Sequence, residues 1–153
     1  MYSGETAMVR RFKKSDLKNC VNLLIDVYYD DPWNHKWTIE TGTRYLDEIS
    51  DLQRFVGFVF EEEGEILGAV FANEQVWWSG DELYIYELYV SNKHHKQGIG
   101  KQLIAALENH VQENNLEGIT LLTSNKTPAP DFYKHLGFEK AEYMDYYFRD
   151  SLN

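Results

Sequence analysis

The run Leu88-Tyr89-Val90-Ser91-Asn92-Lys93-His94-His95-Lys96-Gln97-Gly98-Ile99-Gly100 constrains this chain more than any other. It reads as the end of a strand, a loop rich in hydrogen-bond donors, and a helix that starts at Gly98 or Ile99. Ile99, Leu103, Ile104, Leu107 and Val111 recur at helical spacing on one face, which predicts the helix. Gly98 and Gly100 remove Cβ atoms where the chain turns into it, so a ligand can approach the backbone closely. The first turn of a helix has N–H groups without intrahelical partners and the positive end of the dipole, which suits an anion such as phosphate. Lys93, His94, His95, Lys96 and Lys101 add positive charge at this point.

Two common phosphate loops do not fit. His95 stands where a Walker loop needs its first glycine, and Gln102 where it needs Ser or Thr. Leu103 occupies the third small position of a dinucleotide fingerprint. The run resembles instead the coenzyme A loop of the GCN5-related N-acetyltransferase (GNAT) superfamily. That pattern is Arg/Gln-x-x-Gly-x-Gly/Ala after a strand ending in a leucine-x-valine-like sequence. Here it is His95-Lys96-Gln97-Gly98-Ile99-Gly100 after Leu88-Tyr89-Val90, with His95 in place of Arg or Gln.

Composition narrows the class. A chain of 153 residues with 43% hydrophobic and 15% aromatic residues is long enough for one domain with a real core and is not disordered. Its net charge of −10 argues against a general nucleic-acid binder and favours cationic partners. The single Cys20 excludes an intramolecular disulfide framework. It lies on a helical apolar face with Leu17, Val21, Leu24, Ile25 and Tyr28, so it reads as a core residue. The apolar runs are strand-sized, which predicts no membrane span, and a cytoplasmic location is expected. The five histidines show no HxxxH or HExxH spacing, and no metal site is expected.

Along the chain, Ala7–Phe12 predicts a first strand, followed by a helix from Ser15 to about Tyr28. The Asp30–Trp37 segment breaks it, and a second helix is expected over Thr38–Ser50. Strands over Phe55–Phe60 and Ile66–Val76 flank a turn at Glu61–Glu65, and a further strand runs from Leu83 to Val90. After the central helix, Gly118–Ser124 has the near-continuous apolar character of a buried strand. Pro128 and Pro130 frame a short helix over Asp131–Leu136, stopped by Gly137, and the tyrosine-rich Glu142–Arg149 reads as a final strand.

This β-α-α-β-β-β-α-β-α-β order extends the resemblance to most of the chain. Phe132-Tyr133-Lys134-His135-Leu136-Gly137-Phe138 is similar to the Phe-Tyr-x-x-x-Gly-Phe signature near the C-terminal end of the superfamily. Two motifs in the right order, separated by roughly thirty residues, are far more specific than one. The asparagine that usually precedes this signature corresponds to Asn125, one place early relative to Ala129.

The resemblance implies an α/β fold over residues 1–153: a mixed, mostly antiparallel central sheet, splayed at the coenzyme A site and flanked by helices. It implies acetyl-CoA as co-substrate, bound by Leu88, Tyr89, Val90, His95, Lys96, Gln97, Gly98, Ile99, Gly100, Lys101 and Asn125. A backbone N–H near Leu88–Val90, from Leu88 or Tyr89, is the implied donor to the acetyl oxygen. Tyr133 matches the tyrosine that protonates the leaving thiolate in many members, and a phenol is protonated at neutral pH.

Direct transfer to an amine needs no covalent nucleophile, in keeping with the absence of a GxSxG stretch. Glu87, one residue before Leu88-Tyr89-Val90, is the candidate base or ammonium-holding group. Ideal alternation puts Tyr84 and Tyr86 on the face opposite Glu87; a bulge would change that parity. Glu74 and Glu82 are further carboxylate candidates, with solvation the favoured reading. Trp33, Trp37, Trp77 and Trp78 suit cation binding, with Trp33, Tyr84, Tyr86 and Glu87 as the acceptor-site set. The expected acceptor is a small polyamine- or aminoglycoside-like amine. A protein lysine or N-terminus, and a non-catalytic coenzyme A-binding module, are the alternatives. A homodimer through the tyrosine-rich tail is left open.

Overall fold

The computed structural model describes residues 6–151, and the chain divides into two compact units, residues 1–122 and 123–153. In the first unit the elements run β1 (Ala7–Arg11), α1 (Leu17–Tyr28), α2 (Ile39–Ser50), β2 (Phe55–Glu62), β3 (Glu65–Gln75), β4 (Glu82–Val90), α3 (Ile99–Glu113) and β5 (Ile119–Leu121). The sheet order is β1-β2-β3-β4-β5. Every pairing is antiparallel except β4 with β5, which is parallel. The mixed, mostly antiparallel α/β fold stands.

Local chemistry explains the boundaries. Glu63 (φ 50°) and Gly64 (φ 80°) join β2 to β3 in two residues, the positive-φ geometry whose twist matches the flanking strands. Thr38 and Thr41 cap α2 reciprocally, each side-chain oxygen accepting the other's backbone N–H at 3.0 Å. The β1–α1 junction is tied by Arg10, whose guanidinium donates to both Asp16 oxygens at 2.9 Å.

One face of the sheet packs on α1 and α2. Cys20, Val21, Leu24, Leu46, Val59, Ala69 and Phe71 are buried there. Burial pushes the Cys20 thiol up to about 12, so it is an inert core residue. The other face carries α3, which buries Ile99, Leu103, Ile104 and Leu107. A Cβ on Gly68 of β3 would stand 2.9 Å from Ile99 and 3.2 Å from Leu103, so this glycine lets the helix lie close to the strand. Val111, expected on the same face, is only half-buried, whereas His110 is buried.

Three expectations need correction. The Gly118–Ser124 run forms only the three-residue β5, half-exposed, with Leu122 63% exposed; it pairs with β4 alone and is an edge strand. Glu142–Arg149 is no strand, and its side chains are exposed; among the described residues of its own unit no ladder hydrogen bonds hold it, and a strand does not persist without them. Glu74 is not a solvated carboxylate, because Arg54 donates to it at 2.7 Å and His110 Nε2 lies 2.7 Å away.

In the second unit, α4 (Ala129–His135) is the described helix. Gly137, at φ 91°, ends it. The Gly137 N–H donates to the Lys134 carbonyl and the Phe138 N–H to the Tyr133 carbonyl, both at 3.1 Å. That is the paired bonding of a Schellman cap, and the 5.4 Å contact between the Tyr133 and Phe138 rings is its accompanying apolar contact. The Phe-Tyr-x-x-x-Gly-Phe spacing is thus a helix stop written in sequence.

Candidate active site

β4 is not a regular strand. Phe71 pairs with Glu87, but the next residue of β3, Ala72, pairs with Ile85, leaving Tyr86 as the extra residue of a bulge. Directly opposed residues share a sheet face, so Tyr84 (opposite Asn73), Glu87 (opposite Phe71) and Tyr89 (opposite Ala69) all face α1 and α2. The bulge brings Tyr84 and Glu87 to one side, which ideal alternation forbids. Tyr86 stays beside them, its ring 4.9 Å from that of Tyr84 at 82°.

Glu87 retains some accessible surface yet sits among aromatic rings. The Tyr45 hydroxyl of α2 donates to its Oε2 at 2.7 Å, and Trp37 stacks on the Tyr45 ring at 4.8 Å and 17°. The Tyr28 phenol of α1 also lies near enough to favour the ionised carboxyl, although its hydroxyl donates to the Leu88 carbonyl at 3.3 Å. Burial pushes the Glu87 carboxyl above the usual carboxylate range, against the pull of these two phenols toward the ionised form. Burial pushes the Tyr45 hydroxyl up as well, reinforced by the negative charge of Glu87, so Tyr45 stays a donor.

The outer edge of β4 is open beyond the bulge. Its ladder with β5 covers only Leu83–Ile85 against Ile119–Leu121, so among the described residues no strand pairs with Tyr86–Val90 on that side. The Ser91 N–H donates to Leu67 of β3 at 2.7 Å. Since N–H directions alternate along a strand, that of Tyr89 also points to β3, while those of Leu88 and Val90 point to the open edge. Tyr89's side chain is buried, its hydroxyl donating to the Cys20 carbonyl at 2.8 Å. Between Leu88 and Tyr89, the geometry selects Leu88 as the outward donor.

Past Val90 the chain makes a short 3-10 turn, Asn92–His94, and enters α3 through Lys96 (φ 66°) and Gly98 (φ 77°). Lys93, His95, Lys96, Gln97 and Lys101 are exposed. Ile99, Gly100 and Lys101 supply first-turn N–H groups, the Gln102 N–H being the first to bond back, to Gly98, at 3.0 Å. His95, in the Arg/Gln position, folds back with Nε2 3.1 Å from the Val90 carbonyl. A carbonyl only accepts, so this nitrogen carries the proton. These donors and positive charges fit the phosphates of a coenzyme.

In the second unit, Tyr133 packs edge-on against Phe132 and Phe138, with centroids 5.1 and 5.4 Å away. Asn125 is an exposed turn residue.

The sequence profile of the acetyltransferase (GNAT) family matches residues 18–138. The chain belongs to this family. Solved structures carry the same fold over almost the whole length. A transcriptional regulator from Bacillus halodurans C-125 is 22% identical, with a TM-score of 0.79 over 94% of this chain and 99% of that one. The aminoglycoside N-acetyltransferase AAC(6')-Iy in complex with CoA is 19% identical, with a TM-score of 0.75 over 95% of both chains. An aminoglycoside acetyltransferase from an uncultured soil metagenomic sample, in complex with sisomicin, is 20% identical, with a TM-score of 0.73 over 97% and 98%. At such identities the likeness speaks for the GNAT fold. No helix among the described residues is long and apolar enough to cross a membrane.

Within this GNAT enzyme, Tyr84, Tyr86 and Glu87 lie together. Trp33 is half-buried, its ring edge-on to Tyr28 at 5.2 Å. Trp77 and Trp78 stand apart from this cluster, at the β3–β4 turn, 50% and 88% exposed. Tyr45 escaped the sequence reading. The signal was there: Gly42, Tyr45, Leu46 and Ile49 fall at i, i+3, i+4 and i+7, which turns Tyr45 inward.

Proposed function

We propose that this enzyme moves the acetyl group of acetyl-CoA directly to the primary amine of a small cationic molecule, polyamine- or aminoglycoside-like. One acetyltransferase domain spanning residues 1–153 carries the reaction, in the cytoplasm. The observation that carries this reading is the Glu87 carboxyl, bonded by Tyr45 in a residue that keeps some accessible surface, with Tyr84 and Tyr86 on the same strand. Aromatic faces and a carboxylate together favour an ammonium group. The net charge of −10 attracts such an acceptor from a distance. That two similar structures are aminoglycoside acetyltransferases points the same way.

The bound coenzyme supplies an activated thioester carbon and a thiolate leaving group. The loop from His95 to Lys101 holds its phosphates, with first-turn N–H groups and lysine charge acting together. Glu87 receives the acceptor ammonium and takes its proton, directly or through water; its raised carboxyl is the better base for it. The Leu88 N–H donates to the acetyl oxygen as negative charge grows there. Tyr133 keeps a proton for the departing sulfur, and the Schellman cap fixes where its ring stands.

The test is acetyl-CoA-dependent thiol release against spermidine, sisomicin, amino-acid amides and a lysine peptide, with a no-acceptor control. Release is expected with spermidine or sisomicin and not with the peptide. Tyr133→Phe is expected to lower kcat by about 10²-fold with little change in the acceptor KM. Release with the peptide alone would replace this reading by protein acetylation.

A further inference from the structure

Glu87 alone cannot set its own direction. A glutamate side chain has several rotatable bonds, and a base working on one proton must hold one geometry. Two contacts restrain it in this fold. The first is the 2.7 Å bond from the Tyr45 hydroxyl to Oε2. The second acts through the first: Trp37 stacks on the Tyr45 ring at 4.8 Å and 17°. Trp37 belongs to the α1–α2 connection, immediately before the Thr38 cap, so the capped start of α2 fixes the stacking partner. A tyrosine so placed has little freedom to aim its hydroxyl elsewhere.

We propose that Tyr45 is the positioning residue of the acceptor site, aiming the Glu87 carboxylate through its hydroxyl while Trp37 holds the Tyr45 ring in place. This rests on the reading of Glu87 as the group that receives the amine. Oε2 is the oxygen that the Tyr45 hydroxyl holds.

The groups facing Glu87 from each packed element are few. Tyr28 comes from α1, Tyr45 from α2, and Tyr89 from β4, with Tyr84 and Tyr86 beside Tyr45. β3 contributes Phe71, which is uncharged. Among the described residues no salt bridge reaches Glu87. The Tyr28 hydroxyl has one proton and a second claimant, the Leu88 carbonyl at 3.3 Å. Tyr45 is therefore the donor with the firmer hold. Removing its hydroxyl takes away a bond to the ionised carboxyl and leaves the burial in place, so ionisation becomes harder and the titration moves to higher pH.

Carbon NMR of glutamate-labelled enzyme, saturated with CoA, reads this without an acceptor; the Glu87 signal is the one lost in Glu87→Gln. In Tyr45→Phe its midpoint is expected to rise by about one pH unit, and the acid limb of kcat/KM for spermidine or sisomicin to rise with it. An unmoved midpoint overturns the proposal. If Tyr45→Phe does not fold, Trp37→Leu is read in its place: it keeps the hydroxyl but frees the ring. A rise in the Glu87 midpoint supports the proposal, and an unchanged midpoint overturns it. The parent reading fails separately: a midpoint that moves while Glu87→Gln acetylates at the normal rate removes Glu87 from the reaction but leaves Tyr45 as its orienting group.

Discussion

An ionised carboxylate among aromatic rings is a standing cost to the folded state, and Glu87 bears it. Its folded pKa lies above the unfolded value because burial outweighs the two phenols. The folded chain thus binds more protons in the interval between the two values, and stability falls as pH rises through that interval. Asp16 has the opposite sign: the Arg10 hydrogen bonds hold it below the usual range, so its contribution is present at neutral pH and fades as pH falls through its folded value. Glu87→Gln removes the penalty but not the packing. It is expected to raise the melting temperature at pH 7, by about 2–4 °C for each kcal/mol relieved, while acetyl transfer falls. The gain should vanish near pH 4, where the wild-type carboxyl is already protonated. Melting curves at both pH values check this, and a gain that is equal at both would mean burial is not the cause.

At the scale of elements, the loop into α3 separates two requirements that sequence presents as one. Gly98 sits at φ 77°, yet a Cβ there would meet nothing within 4 Å. The position needs glycine for backbone conformation and not for protein packing. Gly98→Ala should then cost about 1–2 kcal/mol of strain, leave the fold intact, and weaken CoA binding measured by calorimetry. CoA affinity unchanged from wild type would remove this loop from the coenzyme site. Much of this was legible beforehand. Helix α3, the glycine-bearing loop before it, the Glu63-Gly64 turn and the Gly137 stop each follow from local residue chemistry. What sequence did not specify was non-local. The bulge at Tyr86 comes from the register of β4 on β3, and it decides that Tyr84 joins Glu87. The bond from Tyr45 spans from α2 to β4, and the pairing of Glu74 with Arg54 and His110 joins β3 to α3 and to the loop before β2. Alternation and periodicity describe one element at a time, so contacts of this kind lie beyond them.

At the scale of the whole molecule, the tail is the feature that the single chain does not resolve. Tyr143, Met144, Tyr146, Tyr147 and Phe148 are 87%, 60%, 75%, 86% and 79% exposed, five large apolar side chains within six residues. The homodimer through this tail that the sequence left open would cover them. A run of strand composition can pair with the same run of a twofold-related copy, satisfying both backbones at once. The four rings, at roughly 150–250 Å² each when covered, offer on the order of 500–800 Å² per chain, close to the ~800 Å² per partner of a standard interface. Light scattering behind size exclusion should therefore give a mass twice the 18.0 kDa of the chain. Tyr146→Asp with Tyr147→Asp places like charges in the interface at positions already exposed in the chain itself. It should halve the mass and leave the circular dichroism and CoA binding of each protomer in place. A wild-type mass of 18.0 kDa at tens of micromolar would rule the dimer out, whereas a dimer that survives both aspartates would move the interface away from the tail.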